Sequence, residues 1–233
     1  HTFSMNALTG VYLDDDSDYY DPERALRYMR ESVSRNDIYG FYNLARAYQR
    51  GQAGLEVDLE NAFDLMQKAA VGGHPRGPYR LGEMYVAGTA PGGIDYVSAV
   101  EAFSESLNRG DAFAAAKAAY HLRTQNVAGY DEFDSAAIGA KGAALINRRG
   151  ADAALEQIAD QPARLLNGAT QRIMVEMGLE LAVDGAFGPA SQSVLNDLLA
   201  THGEGPAKTD PLERLLQIAA LHWKLSPFRT DLL

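Results

Sequence analysis

The side chains that most often do chemistry are few in this sequence, and their spacing does not suit it. Cysteine is absent, which removes disulfides, thiolate nucleophiles and cysteine-held zinc or iron–sulfur centres together. The histidines stand at positions 1, 74, 121, 202 and 222. No two are four apart and no His-Glu-x-x-His occurs, so a helix-borne zinc site lacks its ligands; His121 and His222 read as packed or surface residues. Asp14, Asp16 and Asp18 alternate like the first ligands of a calcium loop, but Tyr19 fills the sharp-turn glycine position and Ala25 that of the bidentate glutamate. The acidic run therefore reads as a solvated arm. Neither Gly-x-x-x-x-Gly-Lys nor Gly-x-Ser-x-Gly is present. The expectation is no catalytic residue, no metal, no cofactor and no enzymatic activity.

The 233 residues suffice for one or two domains. A hydrophobic share of 46% and a charged share of 22% describe an ordered globular chain. Lys and Arg number 21 against 31 Asp and Glu, a net charge of -10, the wrong sign for nucleic acid or an anionic lipid surface. No stretch approaches the roughly 18 apolar residues of a membrane span, so direct membrane insertion within this chain is not expected. The opening His1-Thr2 reads as a tag remnant, a processed product or an excised fragment.

The elements that must position any site follow from a repeat. Asp21, Asp58, Asp95 and Glu132 are each 37 apart, and Ala25, Ala62, Ala99 and Ala136 follow in the same register. Tyr42, Leu44, Tyr48 and Gly51 recur as Tyr79, Leu81, Tyr85 and Gly88, and Asn36, Gly73, Gly110 and Asn147 complete the period. The acidic residue is expected to cap a helix by accepting from its free N–H groups. Ala62, Phe63, Met66, Ala69 and Ala70 then form one apolar stripe, and the Gly or Asn position ends the helix in a left-handed turn.

On these residues the segment 21–150 resembles the Sel1-like repeat, a relative of the tetratricopeptide repeat. The match is carried by Leu81-Gly82-Glu83-Met84-Tyr85-Val86-Ala87-Gly88 with Asp95, and by Leu44 to Gly51 with Asp58. A third copy, Ala118-Ala119-Tyr120-His121-Leu122, is degenerate. The resemblance implies an all-α, right-handed solenoid of helix pairs whose concave face binds a protein or peptide. Asn43, Arg46, Arg80 and Glu83 are its candidate partner-binding residues, or else solvated positions.

Past Asn147 the register is lost, and Arg148-Arg149-Gly150 reads as a junction. Gln171, Met177-Gly178 and the run Asp184-Gly185-Ala186-Phe187-Gly188-Pro189 resemble the three-helix peptidoglycan-binding domain, over residues 151–203. The resemblance implies glycan contact through Gln171, Asp184, Phe187 and Gln192, with the alternative that Asp184 and Phe187 simply fold the loop. Asp197-Leu198-Leu199 replaces the usual aromatic-Gln pair. Residues 204–233 form a further amphipathic helix, with Trp223 and Phe228 expected to pack on the core, or else to offer a partner surface, and residues 1–20 an N-terminal arm or tag remnant. The two resemblances together imply a periplasmic, non-catalytic envelope scaffold that binds a protein and, as a second ligand, peptidoglycan. The alternative is a protein–protein adaptor that has lost glycan binding.

Overall fold

The structure, a computed structural model, describes residues 2–226; Phe228 and His1 lie outside them. Among the described residues it is all-α, with twelve helices and no strand: α1 (Thr2–Leu13), α2 (Pro22–Ser34), α3 (Ile38–Arg50), α4 (Leu59–Val71), α5 (Gly77–Ala87), α6 (Tyr96–Asn108), α7 (Ala112–Thr124), α8 (Asp134–Ala143), α9 (Ala151–Glu156), α10 (Ala163–Glu176), α11 (Pro189–Thr201) and α12 (Pro211–Leu225). The chain divides into two compact units between Ala102 and Phe103, inside α6.

The 37-residue period sets where helices start and stop. Asp21, Asp58 and Asp95 accept from the backbone N–H of Arg24, Asn61 and Ser98 at 2.9–3.0 Å, satisfying a donor that a helix N-terminus leaves unpaired. Asn36, Gly73, Gly110 and Asn147 all have positive φ, 55°, 96°, 87° and 72°. The backbone reverses there in the left-handed region that Gly and Asn enter most cheaply. Ala25, Ala62, Ala99 and Ala136 are buried to 2% exposure or less, where a larger side chain would hold neighbouring helices apart.

The fourth acidic residue behaves differently. Glu132 does not cap α8, whose N-cap position is Phe133 with no side-chain bond. Instead its two oxygens accept from Arg164 Nη1 and Nη2 at 2.7 Å, because the extra methylene carries the carboxylate past the helix end to a bidentate partner. Asp131 takes over nearby, accepting from Phe133 N at 2.9 Å.

In the first unit each helix packs on the next, α1 on α2, α2 on α3, α3 on α4 and α4 on α5, and α1 also touches α3. The close steps need small residues: a Cβ on Gly77 would lie 2.6 Å from Ala70 Cα and 2.8 Å from its N. Residues 2–13, read from the sequence as an arm, form a helix with Met5 and Thr9 buried. α1 stands one period before α3, and Asn6 matches Asn43 in register. It lacks the Leu-x-x-x-Tyr signature because Ala7 and Val11 occupy those places.

The second unit is organised around α8, which packs against α7, α9, α10 and α12. Ala136, Ala137 and Ala140 of α8 share one core with Ile173 and Met174 of α10, Leu195 and Leu199 of α11 and Leu215 and Ile218 of α12. The junction read at 148–150 is a turn from α8 towards α9, where Gly150 (φ 99°) lies against Phe113; a Cβ on it would meet Phe113 N at 2.5 Å. Trp223 is 4% exposed and donates Nε1–H to Lys141 O at 2.6 Å, so this indole packs on the core as expected.

Candidate functional site

The first unit holds a cavity of about 610 Å³, walled by Phe3 and Asn6 of α1, Tyr39, Tyr42, Asn43 and Arg46 of α3, and His74 and Arg76 of the α4–α5 turn. Its floor is built by the caps of the repeat. Asp37 Oδ1 accepts from Tyr39 N at 3.0 Å and Gly40 N at 3.1 Å, starting α3, and from Asn6 Nδ2 at 2.8 Å, which ties α1 to the same point. One period on, at position 74, an imidazole does the work of the carboxylate: His74 Nδ1 accepts from Arg76 N at 3.2 Å. A further period on, Asp111 Oδ1 accepts from Phe113 N at 3.0 Å. The acceptor role leaves the His74 proton on Nε2 in the neutral ring. The ring stacks on Tyr42 with centroids 3.9 Å apart and 13° between planes, and meets Tyr39 edge-on at 4.8 Å.

Charge in the cavity is uneven. Burial penalises the charged form of Asp37, but hydrogen bonds from Thr2, Gly40, Asn6 and Tyr39 outweigh that and hold its pKa below the usual carboxylate value. Burial lowers the pKa of Arg46, and the cations of Arg50, Arg80 and Arg76 push the same way against the favourable oxygen of Tyr42. Its guanidinium carbon lies 5.7 Å from the Tyr42 ring centre, and its Nε is buried with no hydrogen-bond acceptor. Arg80 is better compensated. It pairs with Glu83 at 2.5 Å, and although burial works against its charge, Tyr42 and Glu83 raise its pKa overall. Among the described residues, neither Arg46 nor Arg76 has an ion-pair partner.

The four partner-binding candidates thus separate into two pairs. Asn43 and Arg46 line the cavity; Arg80 and Glu83 lie outside its wall, bonded to each other across one turn of α5. Sequence reasoning passed over Tyr39, His74, Arg76 and α1. The available signal was the register Asp37, His74, Asp111, which marks His74 as a cap rather than a lone histidine.

In the second unit Asp184 and Phe187 lie in the loop between α10 and α11, while Gln171 stands on α10 and Gln192 on α11. Gln171 is 1% exposed. Its Oε1 accepts from the N–H of Asp184 and Gly185 at 3.1 and 2.9 Å, and its Nε2 donates to Asp184 Oδ1 at 3.0 Å and Ala186 O at 3.2 Å. Asp184 also accepts from Ala186 N at 2.8 Å; this bond and the one from Gln171 hold its pKa low. Phe187 packs on the core with the Arg214 guanidinium 4.1 Å from its ring centre. Gln192 Nε2 donates to Asn196 Oδ1 at 3.4 Å. Pro189 opens α11 as expected. The Asp14, Asp15 and Asp16 carboxylates approach within 4.8 Å of one another, all exposed, with nothing at that place pointing to a bound ion.

No protein-family model and no curated protein matches the sequence. Solved structures do match. A Sel1 repeat protein from Oxalobacter formigenes superposes with a TM-score of 0.52 at 16% identity, over 96% of this chain and 86% of that one. The chain therefore has the fold of a Sel1-repeat protein. A protective antigen of uropathogenic Escherichia coli with an SLR fold aligns at a TM-score of 0.49 and 16% identity, covering 100% of this chain and 59% of that one.

Proposed function

We propose that the protein is a non-catalytic interaction scaffold whose first unit captures a protein segment at the cavity walled by α1, α3 and the α4–α5 turn. The observation that carries this reading is the placement of Asn43 and Arg46 in a cavity with an aromatic shelf of Tyr39, Tyr42 and His74. Aromatic and Arg side chains are enriched in recognition sites because they offer large contact area with polar ends. The test is a photo-crosslinking amino acid at Asn43, compared with one at the exposed Glu60 of α4, in extract from the source organism. A discrete adduct from position 43 and none from 60 is expected; equal labelling at both would overturn the reading.

The finer proposal is a periplasmic scaffold that also contacts peptidoglycan through Gln171, Asp184, Phe187 and Gln192. It is supported by the 184–189 loop resemblance. The internal bonding of Gln171 and Asp184 favours the alternative, an adaptor whose loop only folds the domain. Co-sedimentation of the chain with isolated sacculi decides between them: retention in the pellet supports wall contact, and recovery in the supernatant supports the adaptor.

A further inference from the structure

We infer that the cavity of the first unit binds an acidic segment of the partner, with an Asp or Glu carboxylate held by the guanidinium groups of Arg46 and Arg76 and a neighbouring apolar or aromatic side chain laid against Tyr39 and Phe3. The inference rests on the proposed function and narrows its partner.

The carboxylates in and beside the cavity already hold partners. Asp37 is committed to Asn6 and to the first N–H groups of α3, so it has little capacity left for a cationic ligand. Glu83 is committed to Arg80. Arg46 and Arg76 remain without a counter-charge, and Arg46 is half-buried among cations with an unused Nε–H. A desolvated guanidinium without an anion is unfavourable, and the group that best relieves it is a planar carboxylate, which accepts two parallel N–H bonds. Asn43, one turn before Arg46 on α3, adds an amide able to bond a peptide backbone. Phe3 is 84% exposed and Tyr39 46% exposed, leaving apolar area beside the charged site. The volume of about 610 Å³ suits a few side chains rather than a whole domain.

Net charge sharpens the case. The chain carries -10 overall, so long-range attraction does not favour acidic partners, and their recognition must come from contact with this cluster.

The test is isothermal titration of the full chain with the peptide acetyl-Ala-Glu-Asp-Tyr-Glu-Ala-amide, its counterpart with Gln and Asn in place of the acids, and sodium phosphate. The acidic peptide is expected to bind roughly ten-fold or more tightly than its amide counterpart, the scale of losing a charge-assisted hydrogen bond. Its affinity should fall with added salt. Arg46→Gln and Arg76→Gln should each weaken it several-fold; Arg76 is exposed and caps nothing through its side chain, so that variant keeps the test valid if Arg46→Gln fails to fold. Equal binding of the two peptides, no effect of Arg76→Gln, or phosphate binding as tightly as the acidic peptide would overturn the inference. A crosslinked partner with no acidic residue at the adduct would overturn it while leaving the proposed function standing. Equal labelling at positions 43 and 60 would overturn the proposed function and the inference with it.

Discussion

The two units solve the packing problem with the same small residues and opposite connectivity. In residues 2–102 the most extensive helix contacts run between sequence neighbours, and α1 also touches α3. In residues 103–233, α8 is shared by four partners, two of them 20 or more residues further along the chain. A nearest-neighbour stack distributes its stability locally, whereas a hub makes the unit stand or fall together. The candidate cavity lies in the stack, where two turns and two helices can be shaped without disturbing a shared core.

Crowding the hub should do the most damage. A Cβ on Gly142 would lie 2.4 Å from Ala115 Cβ and 2.9 Å from Ala154 Cβ, touching α7 and α9 at once. Gly142→Leu should cost roughly 3 kcal/mol or more, beyond an ordinary overpacking penalty, and remove hydrogen-exchange protection from α7, α8, α9, α10 and α12 together. Gly77→Ala, pressed against the Ala70 backbone, should cost about 1–3 kcal/mol and deprotect mainly α4 and α5. Matching patterns of lost protection would end the distinction between stack and hub.

A smaller asymmetry should appear with pH. In the second unit, burial and then Lys117 lower the pKa of His121, while burial and then Lys141 lower that of His222 against the pull of Glu176. Both rings bind a proton more readily unfolded than folded. Their contribution is therefore complete above the unfolded value of about 6.5 and is lost as pH falls from there through the lowered folded values. The midpoint of the second unit should drop between pH 7 and 5, and the double variant His121→Gln, His222→Gln should flatten that drop. An unchanged slope would show that other groups set the acid response.

The smallest effect sharpens the stack itself. His74→Ala removes the acceptor for Arg76 N and should cost about 1 kcal/mol, while His74→Asp should keep the cap; urea midpoints of the first unit measure both. If Asp costs as much as Ala, the ring stacking on Tyr42 matters more than the cap.

The repeating positions were the most legible part of the sequence. Asp21, Asp58 and Asp95, the alanines beneath them and the Asn36 to Asn147 reversals each have one local physical role, so period and role identify one another. Glu132 shows the limit: the same charge in the same register was drawn off by Arg164, a contact 32 residues away that no local pattern encodes. α1 was missed because its buried positions are Met5 and Thr9, and Ala7 and Val11 stand where later copies carry Leu and Tyr. Arg46 was legible as a helix-face residue. Its isolation from counter-charge was not, since that depends on where Asp37 and Glu83 spend their oxygens.

The lone indole of Trp223, sealed against the Lys141 carbonyl, has an optical consequence. Ten of the twelve tyrosines stand within residues 1–102, and the single tryptophan lies beyond them. Fluorescence excited at the red edge of absorption follows the hub alone, while phenol absorbance follows chiefly the stack. The chain thus carries two native dyes, and a melt watched at both wavelengths reports each half without a label.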